Sequence, residues 1–459
     1  MAWIKGPTRH ASPCGPVTFN VNEELDPAIA PSVSPTSALY AMRRDPLGFF
    51  TTLAAEQGDV ARFRLGDHKH DLFFFNHPDH IREVLVGQDR HFTKWFAVDR
   101  IKEVLGEGLF VNEGEFHLRQ RRLAQPAFHK ERVAGYARQM VTLALSLRER
   151  LQTGDVIDVC REMNWLAMII VGSTLFGANV ESDAGEIRAA LSDILDQFER
   201  SVLPIADRED FDSAMARLDA VVYRIIGERR ASGIDHGDLL SMLLMAKDEE
   251  TGETMSDLQL RDEAMTIFLA GHETSANAMS WTWYLLSRNP DVEAEFHREI
   301  DSVLAGRLAS LADISALNVT SGIFAEALRL YPPVWAIGRQ ATRECQIGDC
   351  TIPAGSVAIV SPFVTQRDER WFPDPNKFEP RRWTPERRSS RPRFSYFPFS
   401  AGSRACLGEA FAGIEGVLCL ATIAQSWRFK CVPDHPVVLQ PQLTLRARHG
   451  IKMRVEPRL

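Results

Sequence analysis

Phe399-Ser-Ala-Gly-Ser-Arg-Ala-Cys-Leu-Gly408 is the stretch on which the reading of the chain turns. It holds one cysteine, Cys406, among small residues and an arginine, and a pattern of helical period (Leu407 to Trp427) begins directly after it. A thiolate at a helix start gains from unpaired backbone N–H groups and from the positive end of the helix dipole. Both effects lower a thiol pKa and keep the sulfur ionised as a metal ligand. Gly402 and Gly408 permit close backbone approach and turns of positive φ, which a flat macrocycle lying against the loop requires. Arg404 is a fixed cation whose forked donors suit a carboxylate. A lone cysteine before a helix is ordinarily a buried structural thiol. Here that reading fails on density, because Phe399, Gly402, Arg404, Cys406 and Gly408 form one pattern, Phe-x-x-Gly-x-Arg-x-Cys-x-Gly.

Working outward, the longest helical signal runs from Ser256 to Asn289. Ser256 with Gln259 makes a capping box, and Pro290 ends the run. Its middle reads Ala270-Gly271-His272-Glu273-Thr274-Ser275. A glycine inside a helix costs about 1 kcal/mol relative to alanine, and the neighbouring acid and alcohol supply a reason for it: a groove lined by groups that relay protons. Nearer the N-terminus, Gly114 to Arg122 opens a helix on which His117 and Arg121, four apart, share a face. Glu326 and Arg329 share another, a spacing common in surface ion pairs and weak evidence alone. Between and before these lie further amphipathic patterns, at roughly 133–152, 160–177, 184–201 and 210–231, together with β-like runs at 60–65 and 71–76.

These motifs together resemble the cytochrome P450 family of haem-thiolate monooxygenases, from about residue 40 to the C-terminus. The resemblance implies a mainly α fold with a smaller β-sheet region around a buried haem b, with residues 1–35 an irregular arm and 36–459 a single domain. It makes Cys406 the iron ligand. Phe399, Gly402, Arg404 and Gly408 become its loop, and His117, Arg121 and Arg339 propionate partners. Ala270 and Gly271 line the dioxygen groove, while Glu273 and Thr274 deliver protons. Glu326, Arg329 and Arg382 form a structural charge triad. Trp95, Phe96, Trp335, Ile337 and Leu443 are the pocket candidates, with aromatic core packing an equal alternative for the loop residues.

The implied reaction inserts one oxygen atom from O2 into an apolar small molecule. Electrons come from a ferredoxin or flavodoxin with its NAD(P)H reductase, since no flavin motif or iron–sulfur cysteine cluster is present. A peroxide-driven peroxygenase and a non-catalytic haem protein are the alternatives, and the intact Glu273–Thr274 pair argues against both. Bulk properties agree. A formal charge of -8 argues against nucleic acid as a partner. Residues 1–39 contain no apolar run long enough to cross a bilayer, so no membrane anchor is expected. Seven scattered cysteines read as reduced thiols of a cytoplasmic protein, although Cys345 and Cys350 could approach across a hairpin.

Overall fold

The computed structural model describes residues 35–65, 70–95, 101–177, 208–247 and 254–458, together with 32, 33, 98, 185–187, 189–191, 193, 194 and 252. Within these residues the protein is mainly helical, with small sheets to one side. Five helices position the site: α1 (Gly114–Ala124), α2 (Val159–Leu175), α3 (Asp257–Arg288), α4 (Asn318–Leu330) and α5 (Glu409–Ala424).

The long helix α3 starts where its sequence says it should. The Ser256 hydroxyl accepts the Gln259 N–H at 3.2 Å, and the Ser256 N–H donates to Gln259 Oε1 at 2.9 Å. Asn289 caps the other end, and Pro290 opens the next helix, Pro290–Leu304. The 32 residues of α3 span about 48 Å. Most are buried, which places α3 at the centre of the helical layer. Gly271 has a packing reason for its missing side chain: a Cβ there would press on Val171 of α2 at 3.2 Å. The glycine read as a dioxygen groove thus lets two helices approach.

The main sheet has six strands in the order β1 (Ser32–Val33), β2 (Val60–Phe63), β3 (Leu72–Phe75), β6 (Val357–Val360), β5 (Ile337–Ala341) and β4 (Phe92–Lys94). The β-like runs at 60–65 and 71–76 form a hairpin, with Val60 opposite Phe75 in the antiparallel β2–β3 pair. β3 runs parallel to β6, so the sheet joins the two halves of the sequence. In the β4–β5 pair Lys94 lies opposite Arg339.

The pattern from Leu407 to Trp427 is not one helix. α5 ends at Ala424, and Trp427–Cys431 is a strand paired with Lys452–Pro457, because its alternating residues have a partner there. Cys345 faces Ile352 and Cys350 faces Ile347 in their hairpin, a register offset that leaves both thiols free. Among the described residues no helix is long and apolar enough to cross a membrane.

Candidate functional site

Arg329 and Glu326 on α4 are completely buried and meet in two bonds of 2.9 and 2.8 Å. Arg329 also donates to the carbonyls of Gln366, Pro375 and Lys377. Arg382 reaches Glu326 at 3.3 Å, and the Trp383 indole N–H donates to it at 3.0 Å. The three charges of the expected triad are therefore in contact. Removing one member of a buried pair costs about 3–5 kcal/mol, so this cluster fixes the irregular segment that leads into the cysteine loop.

In that loop the Cys406 N–H donates to the Phe399 carbonyl at 3.0 Å, closing the turn. Gly402 has φ 73° and lies against the Leu85 carbonyl, where a Cβ would collide. Gly408 differs from expectation. Its φ is −84°, which any residue adopts, and a Cβ there would make only ordinary contact with the Cys406 sulfur. The side chain of Cys406 is exposed, although protein atoms crowd around its sulfur. Burial pushes its thiol up, against the pull of the Gly408 N–H and the Arg121 guanidinium. A bound metal cation would act in the opposite direction and favour the thiolate.

Cations gather beside the loop. Arg121 donates to the Ala405 carbonyl at 2.8 Å, and Arg404 donates to the Phe92 carbonyl at 3.0 Å and pairs with Glu113. Arg339 is buried on β5 and donates to the Gly338 carbonyl at 3.0 Å. Its guanidinium is held down to about 10, by burial and then by Arg404. Lys94 donates to the carbonyls of Leu109 and Asn112, at 3.2 and 2.6 Å, and burial lowers it to about 7. Buried His117 is lowered to about 4 by burial and then by Lys94, Arg404, Arg121 and Arg339. Arg404 Nε is buried without a hydrogen-bond partner among the described residues. Like charges held this close fit a group that brings carboxylates.

On α3, Ala270 is exposed in the middle of a mostly buried helix, with Thr274 half-buried one turn on. The Thr274 hydroxyl donates to the Ala270 carbonyl at 2.7 Å, leaving its lone pairs as acceptors. Glu273 is buried and committed elsewhere. It accepts from Arg446 Nε at 2.7 Å and from the Thr444 hydroxyl, which ties α3 to the hairpin β7 (Leu439–Pro441)–β8 (Leu445–Ala447).

The pocket candidates divide. Trp335 donates to the Gln442 carbonyl at 2.7 Å, Leu443 is exposed on the β7–β8 turn, and the Trp95 ring lies against the backbone at Gly338. Ile337 is buried in the core cluster that contains Phe73, Phe75 and Phe92. Phe96 lies outside the described residues.

Sequence reasoning missed Lys94, Glu113, Arg446 and Glu415. The Ser275 hydroxyl donates to Glu415 Oε2 at 2.6 Å, and Glu415 Oε1 has no partner among the described residues. Burial pushes this carboxyl up to about 8. An acid inside the apolar run Phe411–Ala424 was a legible signal for Glu415. Lys94, Glu113 and Arg446 carried no local one.

The protein-family model described as Cytochrome P450 matches residues 37–454. Cyclooctatin synthase of Streptomyces melanosporofaciens is 39% identical over 91% of this chain and 92% of its own length. Cyclooctat-9-en-7-ol 5-monooxygenase of the same organism is 35% identical over 94% of both. Pentalenene oxygenase of Streptomyces avermitilis is 32% identical over 89% of this chain and 94% of its own. Among solved structures, the cytochrome P450DA heme domain superposes with a TM-score of 0.85 at 26% identity, covering 94% of this chain and 99% of that one.

Proposed function

The chain belongs to the cytochrome P450 family, and from that premise we propose that Cys406 ligates the iron of haem b and that a terpenoid is oxidised above it. The reaction class is haem-dependent monooxygenation, with one oxygen atom from O2 inserted into an apolar small molecule and electrons delivered by a separate protein. The observation that carries the residue assignment is the convergence of Arg121, Arg339 and Arg404 beside the cysteine loop. Haem supplies dioxygen activation at iron, and a thiolate ligand favours O–O cleavage.

The protein's contributions follow from its own groups. Cys406 supplies the thiolate. Arg121, Arg339, Arg404 and His117 hold the propionates, with His117 neutral and hence a single N–H donor. Phe399, Gly402 and Gly408 shape the loop, and Ala270 lines the dioxygen groove beside Gly271, which lets α3 approach α2. Thr274 keeps lone pairs open to the cleft and orients a proton donor there. Glu273 passes protons only after exchanging Arg446 for water. Trp95, Trp335 and Leu443 offer apolar contact to a terpenoid skeleton, a class supported by the names of the Streptomyces relatives.

The electron donor in this reading is a ferredoxin or flavodoxin with its NAD(P)H reductase. Exposed Arg122, Arg387, Arg388 and Arg393 give it a basic surface. Arg391, by contrast, is half-buried over the Phe372 and Trp383 rings. A cytoplasmic location accords with the six described cysteines being free, and residues 36–459 act as a single domain; the arm expected over residues 1–35 lies, apart from residues 32, 33 and 35, outside the described residues. Cys406→Ser is expected to abolish the thiolate-type spectrum of the carbon monoxide complex. A variant that kept that spectrum would overturn the assignment of the ligand.

A further inference from the structure

Glu113 occupies the N-cap of α1, yet its side chain makes no capping bond to that helix. A carboxylate at this position ordinarily accepts the free N–H groups of the first turn. Here it is diverted to two other elements. One oxygen accepts the Lys94 N–H on β4 at 2.6 Å, and the other pairs with the Arg404 guanidinium. Arg404 is thereby held between Glu113 and the Phe92 carbonyl, two residues along β4. A single carboxylate thus joins α1, β4 and the cysteine loop. The same joint lies between His117 and Arg121 on one side and Arg339, opposite Lys94, on the other.

Electrostatics give the joint a second consequence. Arg404 lowers the affinity for protons of Lys94, His117 and Arg339, while Glu113 raises that of Lys94 and Arg339. Glu113 is therefore the carboxylate bonded into a cluster otherwise dominated by cations, with Asp89 acting on Arg339 from further out. Net positive charge beside a haem favours the ferrous form, which carries one more electron than the ferric. A built-in anion opposes that preference.

We propose that Glu113 is a positioning residue for the haem site, clamping Arg404 in register with β4 and acting as the counter-charge that keeps the haem potential low. This rests on the assignment of haem to the Cys406 loop. The test uses the holoprotein and the variants Glu113→Gln and Glu113→Asp. Three quantities are measured: the carbon monoxide spectrum, the ferric–ferrous midpoint by dye-mediated spectroelectrochemistry, and haem transfer to excess apomyoglobin. Glu113→Gln should keep the thiolate-type spectrum, move the midpoint to more positive potential and release haem several-fold faster. Glu113→Asp keeps the charge on a shorter arm, so it should hold a midpoint near that of the parent while still releasing haem faster.

A Glu113→Gln protein with unchanged midpoint and unchanged haem release overturns the proposal, and faster release with no change of midpoint overturns the counter-charge role. If Glu113→Gln does not accumulate with haem, the aspartate variant decides. Faster release at parental potential supports the clamp, and parental release overturns it. A parent without the thiolate-type spectrum would instead overturn the haem reading of Cys406 on which the clamp depends.

Discussion

Replacing Glu415 by glutamine should stabilise the protein in a pH-dependent way. Glu415 is completely buried on α5, bonded among the described residues through Oε2 to Ser275, and burial pushes its carboxyl up to about 8. In the unfolded chain it titrates near the ordinary glutamate value of about 4.3. The folded state thus binds a proton that the unfolded state releases throughout this window. A raised folded pKa gives stability that is complete below about pH 4 and lost as pH rises towards about 8. Each pH unit in the window is worth about 1.4 kcal/mol, so the parent loses roughly 3–4 kcal/mol between pH 5 and 8 through this residue. Glutamine copies the shape of the neutral acid and has no charge to release. Holoprotein unfolding in guanidinium at pH 5 and pH 8 measures the effect. The variant should match the parent to within about 1 kcal/mol at pH 5 and exceed it by roughly 3–4 kcal/mol at pH 8. An equal difference at both pH values would show that Glu415 is ionised in the folded protein and would refute the reasoning.

Thr274→Ala removes a hydroxyl from the cleft but no proposed haem-holding group, so haem content should persist while NAD(P)H is consumed with peroxide released in place of product. Unchanged coupling would remove Thr274 from proton delivery. Glu273→Gln should slow turnover and also loosen the β7–β8 hairpin, because it removes the charge that holds Arg446 and weakens that contact. Arg446→Met should reproduce the loosening, seen as altered substrate-binding spectra, without removing the acid; identical turnover in both variants would make Glu273 structural only. Charge reversal at Arg122 and Arg388 should slow reduction by an acidic ferredoxin and flatten its salt dependence. Unchanged rates would move the docking surface elsewhere.

What could be read from the sequence was local. The capping box of Ser256 and Gln259 lies within four residues, and the cysteine loop within ten, so their geometry is written in contiguous chain. The β2–β3 hairpin was legible for the same reason. What was not legible depends on contacts between distant segments. Glu273 meets Arg446 across 173 residues, and Arg404 meets Glu113 across 291. Nothing in the spacing of Ala270 to Ser275 distinguishes an acid open to a cleft from one already paired. The same limit explains Gly271, whose neighbour Val171 belongs to another helix. Gly408 misled for a different reason: a glycine in a motif was read as a positive-φ turn, and the chain there has ordinary backbone angles.

The parallel pairing of Leu72–Phe75 with Val357–Val360 bears on how the molecule is made. A ribosome adding about 5–20 residues per second takes roughly 15–60 s to pass from Lys94 to Arg404. Until residues 357–360 are made β3 has no β6 to lie against, and until residue 339 is made Lys94 has no Arg339 opposite. The nascent chain carries the apolar helix α2 and all of α3 before the segment that would close the sheet exists. On the proposed assignment of Cys406 as the haem ligand, cofactor capture is a late event in biosynthesis, and a chain truncated before residue 406 lacks that ligand.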